Sequence, residues 1–279
     1  MTNLRCSDYR LSLERPLIMG IVNLTPDSFS GDGLGGDTAA AIAHAEVQRT
    51  AGADILDLGG ESSRPGAAQV PAELELARLL PVLNVVRDWG IPVSVDTAKP
   101  EVMRAVLDAG AAMINDIGAL RLPGAIEAVA SSNAAVCLMH MRGEPGTMQV
   151  DPHYEDVVCE VKDFLAVRVA ACLDAGVTPA GVVIDPGFGF GKTVAHNYTL
   201  LRHMDELRAL GVPILAGLSR KSMLGAVTGR PNGEARIHAS VAAAVLAVQH
   251  GASIVRVHDV AATKDALAVL AATEGRMQV

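Results

Sequence analysis

GVVIDPGFGFGKT, residues 181–193, admits two readings that lead to different folds. Glycines running into Lys192 and Thr193 suggest the phosphate-cradling pattern G-x-x-x-x-G-K-[ST]. The first glycine of that pattern falls on Pro186, which has no N–H to offer a phosphate and whose φ is fixed. The dinucleotide pattern G-x-G-x-x-G fails as well, because Gly187, Gly189 and Gly191 are spaced by two throughout. What remains is an apolar run that ends in a carboxylate and leads through a tight loop into a helical stretch. That is one βα unit, and the fold depends on how many more the chain holds.

Seven further apolar runs have the same form: PLIMGIV (16–22), ADILDLG (53–59), IPVSVD (91–96), AAMIND (111–116), AAVCLMH (134–140), PILAGLS (213–219) and SIVRVH (253–258). Runs of this kind suit strands buried on both faces of a parallel sheet. Ala/Leu/Glu-rich stretches follow each of the eight, at roughly 37–51, 72–88, 99–109, 123–131, 154–175, 197–210, 234–250 and 260–272. Gly52, Gly90, Gly110, Gly176, Gly211 and Gly251 stand where these helices should stop. Eight βα units in 279 residues predict a TIM (β/α)8 barrel, with a doubly wound sheet as the structural rival. No linker, low-complexity tract or composition shift divides the chain, so residues 1–279 read as a single domain. Residues 1–14 precede the first unit and are expected to form a short hairpin or cap over the barrel bottom.

Composition narrows the function. Half of the residues are hydrophobic, so a large core can be buried, and the formal charge of −8 disfavours non-specific binding to nucleic acid or acidic membranes. Aromatics make up 3%, which leaves few platforms for stacking single-stranded bases. No apolar run approaches the ~18 residues of a membrane span, and MTNLRCSDYR lacks the apolar segment of a secretory signal. The cysteines at 6, 137, 159 and 172 form no C-x-x-C pair and read as buried structural thiols, which points to the cytoplasm.

In a barrel, chemistry collects where strands end and loops begin. Every predicted strand here ends in polar residues: Asn23, Glu61 with Arg64, Asp96, Asn115, His140, Asp185, Lys221, and the pair Arg256/His258. Any one of these has an ordinary reading. Asp96 or Asp185 could cap the next helix, His258 could be a bonded core histidine, Arg64 could be solvated, and His140 could stand behind the site. Eight of eight is harder to assign to chance, because a mostly buried carboxylate is costly unless a donor meets it. Asp96, Asn115 and Asp185 suit a ligand edge of N–H donors, such as an amino-substituted heterocycle. Asn23, Lys221, Arg256 and His258 suit an anion, phosphate or diphosphate, and a metal. Residues 256 and 258 of a strand point to the same side, so R-V-H aims two donors at one spot. The loops NLTPDSFSGDGLGGD (23–37) and GGESSRPGA (59–67) have the Gly/Pro/Ser composition of lids that order over a substrate.

Eight blocks, in order, carry a resemblance: NLTPDSFS (23–30), GGESSRPG (59–66), VDTAKP (95–100), IND (114–116), LMHMRGEPGTMQ (138–149), DPGFGFGK (185–192), GLSRKSMLG (217–225) and RVHDV (256–260). Together they resemble the dihydropteroate synthase family, from about residue 16 to residue 265. The resemblance implies a transferase of folate synthesis that joins 6-hydroxymethyl-7,8-dihydropterin diphosphate to p-aminobenzoate, in an SN1-like or SN2-like displacement. It implies Asp96, Asn115, Asp185 and Lys221 for the pterin. Arg256 would lie along the pterin face and, with His258 and Asn23, meet the diphosphate and its Mg²⁺. Phe190, Ser222, Pro65 and Ser63 would border p-aminobenzoate, and Phe29, Asp32 and Arg64 would belong to the two loops. A homodimer is implied as well. Lys192 and Thr193 would support their loop rather than touch phosphate.

Two positions depart from the family pattern. The first loop usually reads SFSDGG and here reads SFSGDGLGG, which leaves open whether Asp32 is the matching acid. Ser63 stands where threonine is usual. A pterin-dependent methyltransferase on the same barrel would share Asp96, Asn115 and Asp185 but has no need of R-V-H or of the NLTPDSF loop. A non-catalytic pterin-binding paralogue would have lost Lys221, Arg256 or His258. On the reading of Pro186, ATP should bind no better than other phosphate compounds. Micromolar ATP binding that survives excess diphosphate and disappears in Lys192→Ala would overturn that reading.

Overall fold

The computed structural model describes residues 2–25, 37–62 and 69–275. Phe29, Asp32, Ser63, Arg64 and Pro65 therefore lie outside the described residues. A two-stranded antiparallel hairpin comes first, β1 (Asn3–Cys6) and β2 (Tyr9–Ser12). Eight parallel strands follow: β3 (Leu17–Asn23), β4 (Ile55–Gly59), β5 (Val93–Asp96), β6 (Met113–Asp116), β7 (Ala135–Met139), β8 (Val182–Asp185), β9 (Leu215–Ala216) and β10 (Ile254–Val257). Their order in the sheet is β8-β7-β6-β5-β4-β3-β10-β9, and a parallel bridge between Ile184 and Ile214 spans the seam between β8 and β9. This is the TIM barrel that the eight units predict, and residues 2–13 supply the expected hairpin.

The helices that wrap it are α1 (Thr38–Ala51), α2 (Ala72–Val86), α3 (Pro100–Asp108), α4 (Ala125–Ala130), α5 (Val157–Asp174), α6 (Val194–Arg202), α7 (Ser222–Thr228), α8 (Ile237–Gln249) and α9 (Val260–Thr273). Local chemistry starts and stops them. Asp37 accepts from Ala40 N at 3.0 Å at the head of α1, Asp156 from Val158 N and Cys159 N at the head of α5, and Thr193 from His196 N before α6. All six glycines expected to end helices have positive φ; at Gly52 the value is 103° and its N–H returns to Arg49 O and Gln48 O.

Residues paired across parallel strands share a face of the sheet, so the register separates barrel interior from exterior. Arg256 pairs with Met19 and Met19 with Ile55; Asp57 pairs with Ile21 and Ser94; Asp96 pairs with Gly59 and Asn115; Asn115 pairs with Cys137, and Asp185 with Met139. The alternate set, including Ile18, Leu56, Val95, Ile114, Leu138, Ile184 and Val255, packs outward against the helices in the main core. The interior is layered along the barrel axis. Near the strand starts it is apolar: Met19, Ile55, Met113, Val183, Leu215 and Ile254 cluster with Leu4 and Cys6 of the hairpin, which plugs that end. Toward the strand ends it turns polar.

Four local expectations need correction. The run 213–219 contributes only Leu215–Ala216 to the sheet, because Gly217 and the turn beyond leave the ladder. An extra helix, α7, precedes the expected one at 234–250. The stretch 197–210 divides at His203 into α6 and a 3-10 turn, Met204–Leu210. Cys6, Cys137 and Cys172 are buried thiols as expected, but Cys159 is exposed, since it sits on the outer side of the first turn of α5.

If the hairpin is a structural plug, Leu4→Ala should cost about 2–5 kcal/mol of unfolding free energy, the usual range for a fully buried leucine. Urea denaturation with an unchanged slope measures it. A loss within experimental error would show the hairpin to be a mere appendage.

Candidate active site

A cavity of about 480 Å³ opens at the C-terminal ends of the strands. Its walls include Asn23, Asp96, Asn115, Asp185, Phe190, Lys221, Ser222, Arg256 and His258, every proposed site residue that lies among the described residues. Six separate strand ends or their following turns deliver them, so the closed sheet does the gathering.

Asp185 ends β8 and is 6% exposed. Its Oδ1 accepts from Gly187 N at 2.7 Å. Burial raises the Asp185 pKa, opposed by the charge of Lys221. Lys221 is held lower than a free lysine, at about 8, by desolvation, with Asp185 opposing and Arg256 reinforcing. Its Nζ donates to Phe188 O and lies 4.7 Å from the centre of the Phe190 ring.

Across the cavity Arg256 donates from Nε to Asp57 Oδ2 at 2.6 Å and from Nη2 to Asp96 Oδ2 at 3.1 Å. Asn115 Nδ2 adds a bond to Asp57 Oδ2 at 3.3 Å. Asp96 is pushed up to about 7 by burial, against the pull of Arg256 and with help from Asp57. Desolvation disfavours the Arg256 charge, but Asp57 and Asp96 outweigh it and hold its pKa above the usual value. His258 follows one residue beyond β10; its Nδ1 is 2.9 Å from Ser219 Oγ, and its carbonyl accepts from Gln48 Nε2 at 2.8 Å.

Lys192 is buried behind the site and absent from the cavity wall. Its Nζ donates to Gly187 O at 3.0 Å and Phe190 O at 3.1 Å and meets His140 Nδ1 at 2.9 Å. Thr193 caps α6. Both therefore support the loop, as expected, and His140 stands behind the site with its pKa driven down to about 2 by burial and then by Lys192. The glycines let that loop press on its neighbour: a Cβ at residue 187 would meet His140 O at 1.8 Å, and one at residue 191 would meet Arg142 O at 2.3 Å.

Reading strand ends overlooked several residues. Asp57 lies in mid-strand, fully buried, with Oδ1 lacking a hydrogen-bond partner among the described residues. The signal was a lone carboxylate inside the apolar run ILDLG. Glu61 is not a ligand-facing acid alone: it takes Lys99 Nζ at 2.7 Å and Val70 N at 2.6 Å, while buried Glu75 takes Lys99 at 2.6 Å. Asp116 binds Gly118 N and Leu120 N and shapes the turn after β6. Arg236 and Asn232 reach the cavity from before α8. His44 of α1 is half-buried and within 3.3 Å of Ile21 O.

An interior face of paired carboxylates, one carboxamide and two cations at the mouth of a β/α barrel defines a class that also appears on comparison. Residues 19–258 match the family described as pterin binding enzyme. The chain is 52% identical over 263 residues to dihydropteroate synthase of Neisseria meningitidis serogroup C, covering 93% of each. It superposes on Xanthomonas albilineans dihydropteroate synthase with 4-aminobenzoic acid at a TM-score of 0.91, with 53% identity and 98% of each chain covered. It superposes on Burkholderia cenocepacia dihydropteroate synthase complexed with 7,8-dihydropteroate at 0.89, with 52% identity over 98% of this chain and 97% of that one. The chain belongs to the dihydropteroate synthase family of pterin binding enzymes.

The raised pKa of Asp96 has a stability consequence. The folded state binds its proton more tightly than the unfolded chain, in which an aspartate titrates near ~3.9. The stabilising contribution is thus complete below about pH 4 and is lost as pH rises through about 7. Asp96→Asn, with nothing to ionise, should flatten the decline in ligand-free stability between about pH 4 and 7. Urea midpoints at several pH values check this; identical pH slopes for the two proteins would refute it.

Proposed function

We propose that this cavity condenses 6-hydroxymethyl-7,8-dihydropterin diphosphate with p-aminobenzoate, releasing diphosphate and 7,8-dihydropteroate. The observation that carries the reading is that one cavity is lined both by buried acceptors, Asp96, Asn115 and Asp185 with Lys221 beside them, and by the donors Arg256 and His258. A flat amino-pyrimidinone edge satisfies the first and a diphosphate the second. The dihydropteroate synthases compared above were solved with 4-aminobenzoic acid and with 7,8-dihydropteroate.

Asp185 takes two N–H groups of the pterin, and Asn115 with Asp96 takes the far side of the ring. Lys221 and Arg256 flank the ring and keep water from it. The bond between the pterin methylene and the bridging diphosphate oxygen breaks, and its electron pair leaves on oxygen. Arg256 and His258 stabilise that developing negative charge, the kind of preorganised stabilisation that lowers a barrier most. The electron-rich ring takes up the positive charge left on the methylene, and the buried carboxylates around it favour that charge, which fits an SN1-like order. The arylamine nitrogen forms the new C–N bond and gives up one proton, which leaves with the released diphosphate. Phe190 and Ser222 border p-aminobenzoate here; Phe29, Asp32, Ser63, Arg64 and Pro65, assigned to the same pocket and its loops, lie outside the described residues.

Asn23 fits a Mg²⁺ that arrives with its phosphates. Magnesium prefers oxygen ligands and is commonly held by few protein groups plus substrate phosphate. Among the described residues no cluster of three or more His, Cys, Asp or Glu could hold a metal by itself, so the Asn23 carboxamide would share the ion with diphosphate oxygens. When bound, the ion would neutralise charge on the leaving diphosphate. Among the described residues no helix is long and apolar enough to cross a membrane, and the reading places the enzyme in the cytoplasm as a homodimer. Exposed Leu246, on the Ala-rich helix α8, is the kind of apolar surface a second subunit could cover.

Released diphosphate and dihydropteroate, measured with both substrates and Mg²⁺, test the reaction. Asp185→Asn should weaken pterin binding by ~1.5–3 kcal/mol, the worth of a charged hydrogen bond, while the melting temperature holds. Full pterin affinity in that variant would remove Asp185 from the site.

A further inference from the structure

We infer that Arg220 is a positioning residue that sets the spacing between the two halves of the site. β9 is only two residues long, and its pairing with β10 ends at Ala216 and Val255. The groups that matter lie beyond that ladder: Ser219, Lys221 and Ser222 on one side, Arg256 and His258 on the other. Something other than sheet hydrogen bonds must fix one set against the other.

Arg220 does so through its backbone and its side chain. Its φ is +58°, in the left-handed region that residues with a Cβ seldom occupy unless their surroundings impose it. The surroundings are specific. Its N–H donates to Ser240 Oγ at 2.8 Å, and its carbonyl accepts from Arg236 Nη1 at 3.1 Å. Its guanidinium makes a forked pair with Asp259, Nε to Oδ2 at 3.1 Å and Nη2 to Oδ1 at 2.6 Å, with the two side chains 9% and 13% exposed. Asp259 directly follows His258. The preceding residue, Ser219, accepts from His258 N at 3.2 Å and lies 2.9 Å from its Nδ1. The following residue, Lys221, faces Phe190 and the field of Asp185. The Arg220–Asp259 fork thus ties the turn that carries Lys221 to the strand end that carries His258, in place of the missing ladder.

This rests on the proposed reading of Lys221 as a pterin contact, of His258 as a diphosphate contact and of Arg256 as a contact to both. A ligand confined to one half should be indifferent to the spacing, whereas one that spans both halves must match it. The experiment measures binding of 6-hydroxymethylpterin alone, Mg-diphosphate alone and the joined pterin diphosphate, with turnover, for wild type, Arg220→Ala and Asp259→Asn. Each variant should bind Mg-diphosphate within about threefold of wild type and lose less affinity for the pterin alone than for the joined substrate, with a ten- to hundredfold loss in kcat/KM for pterin diphosphate. The double variant should lose no more than the worse single one, as expected of a coupled pair. Joined-substrate efficiency within twofold of wild type in both variants would overturn the inference, as would equal loss of all three ligands. Arg220→Gly separates backbone from ion pair: glycine tolerates the turn, so recovery of wild-type efficiency would show that φ alone matters and reject the fork. Should Arg220→Ala not fold, Asp259→Asn, which keeps the shape of the side chain, decides by the same criteria. Wild type that binds neither half-ligand would sink the proposed function and this inference with it, whereas wild-type binding with unaltered variants sinks this inference only.

Discussion

Arg256 enters the barrel interior between Asp57 and Asp96, and the rest of the site is arranged around that contact. A guanidinium taken out of water is costly, and removing one partner of a buried pair typically costs ~3–5 kcal/mol because it strands the other charge. Here one partner, Asp57, sits in mid-strand and the other, Asp96, at a strand end. The cation is therefore drawn to one height on the barrel axis. It can be held there only if β3 pairs between β10 and β4, with β5 beyond β4, in correct register, so pairing these four strands and assembling this part of the site are one event.

The layering of the interior follows from the same constraint. Below Arg256 the barrel is filled with methionine, valine, leucine and isoleucine, and the hairpin residues Leu4 and Cys6 complete that fill. Charges cannot lie there, because nothing could pair with them. Above, the polar set faces the cavity, and its members are only partly satisfied by one another. Asp57 Oδ1 lacks a partner among the described residues, and Asp96 and Asp185 are both driven toward the protonated form. A binding site that must exchange protein hydrogen bonds for ligand ones carries such under-satisfied groups as a matter of course, at some expense to the stability of the empty enzyme.

The architecture was legible because two independent signals agreed. Eight apolar runs alternated with helical stretches, and six glycines marked helix ends where the backbone does turn left-handed. Strand-end polarity located Asp96, Asn115, Asp185, Lys221, Arg256 and His258, since a barrel converts eight sequence-distant ends into one rim. Asp57 escaped because in a strand buried on both faces the interior and exterior residues are equally apolar, so the alternation that would assign ILDLG a face is invisible until the register is known. α7 escaped because SMLGAVT is short and follows a strand that itself nearly vanishes. The Lys99 bridge to Glu61 and Glu75 joins three elements, and no local pattern foretells such a meeting.

The stretch that resembled a nucleotide loop shows why a pattern needs its hydrogen bonds traced. A phosphate-cradling loop must turn its backbone N–H groups toward the ligand and leave its lysine amine to reach the phosphates. In 185–193 those groups are committed inside the protein: Gly187 N to Asp185 Oδ1, Gly189 N to Asn197 Oδ1, Phe190 N to Gly187 O, and the Lys192 amine to two carbonyls of its own loop and to His140. Pro186 had already removed one donor. The glycines serve close approach to the backbone at His140 and Arg142 rather than approach to an anion. The loop is thereby a rigid shelf. Its acceptors, Phe188 O for Lys221 and the Asp185 carboxylate, face the cavity, while its donors face inward, so its electrostatics suit a ligand that brings N–H groups and are wrong for one that brings phosphate.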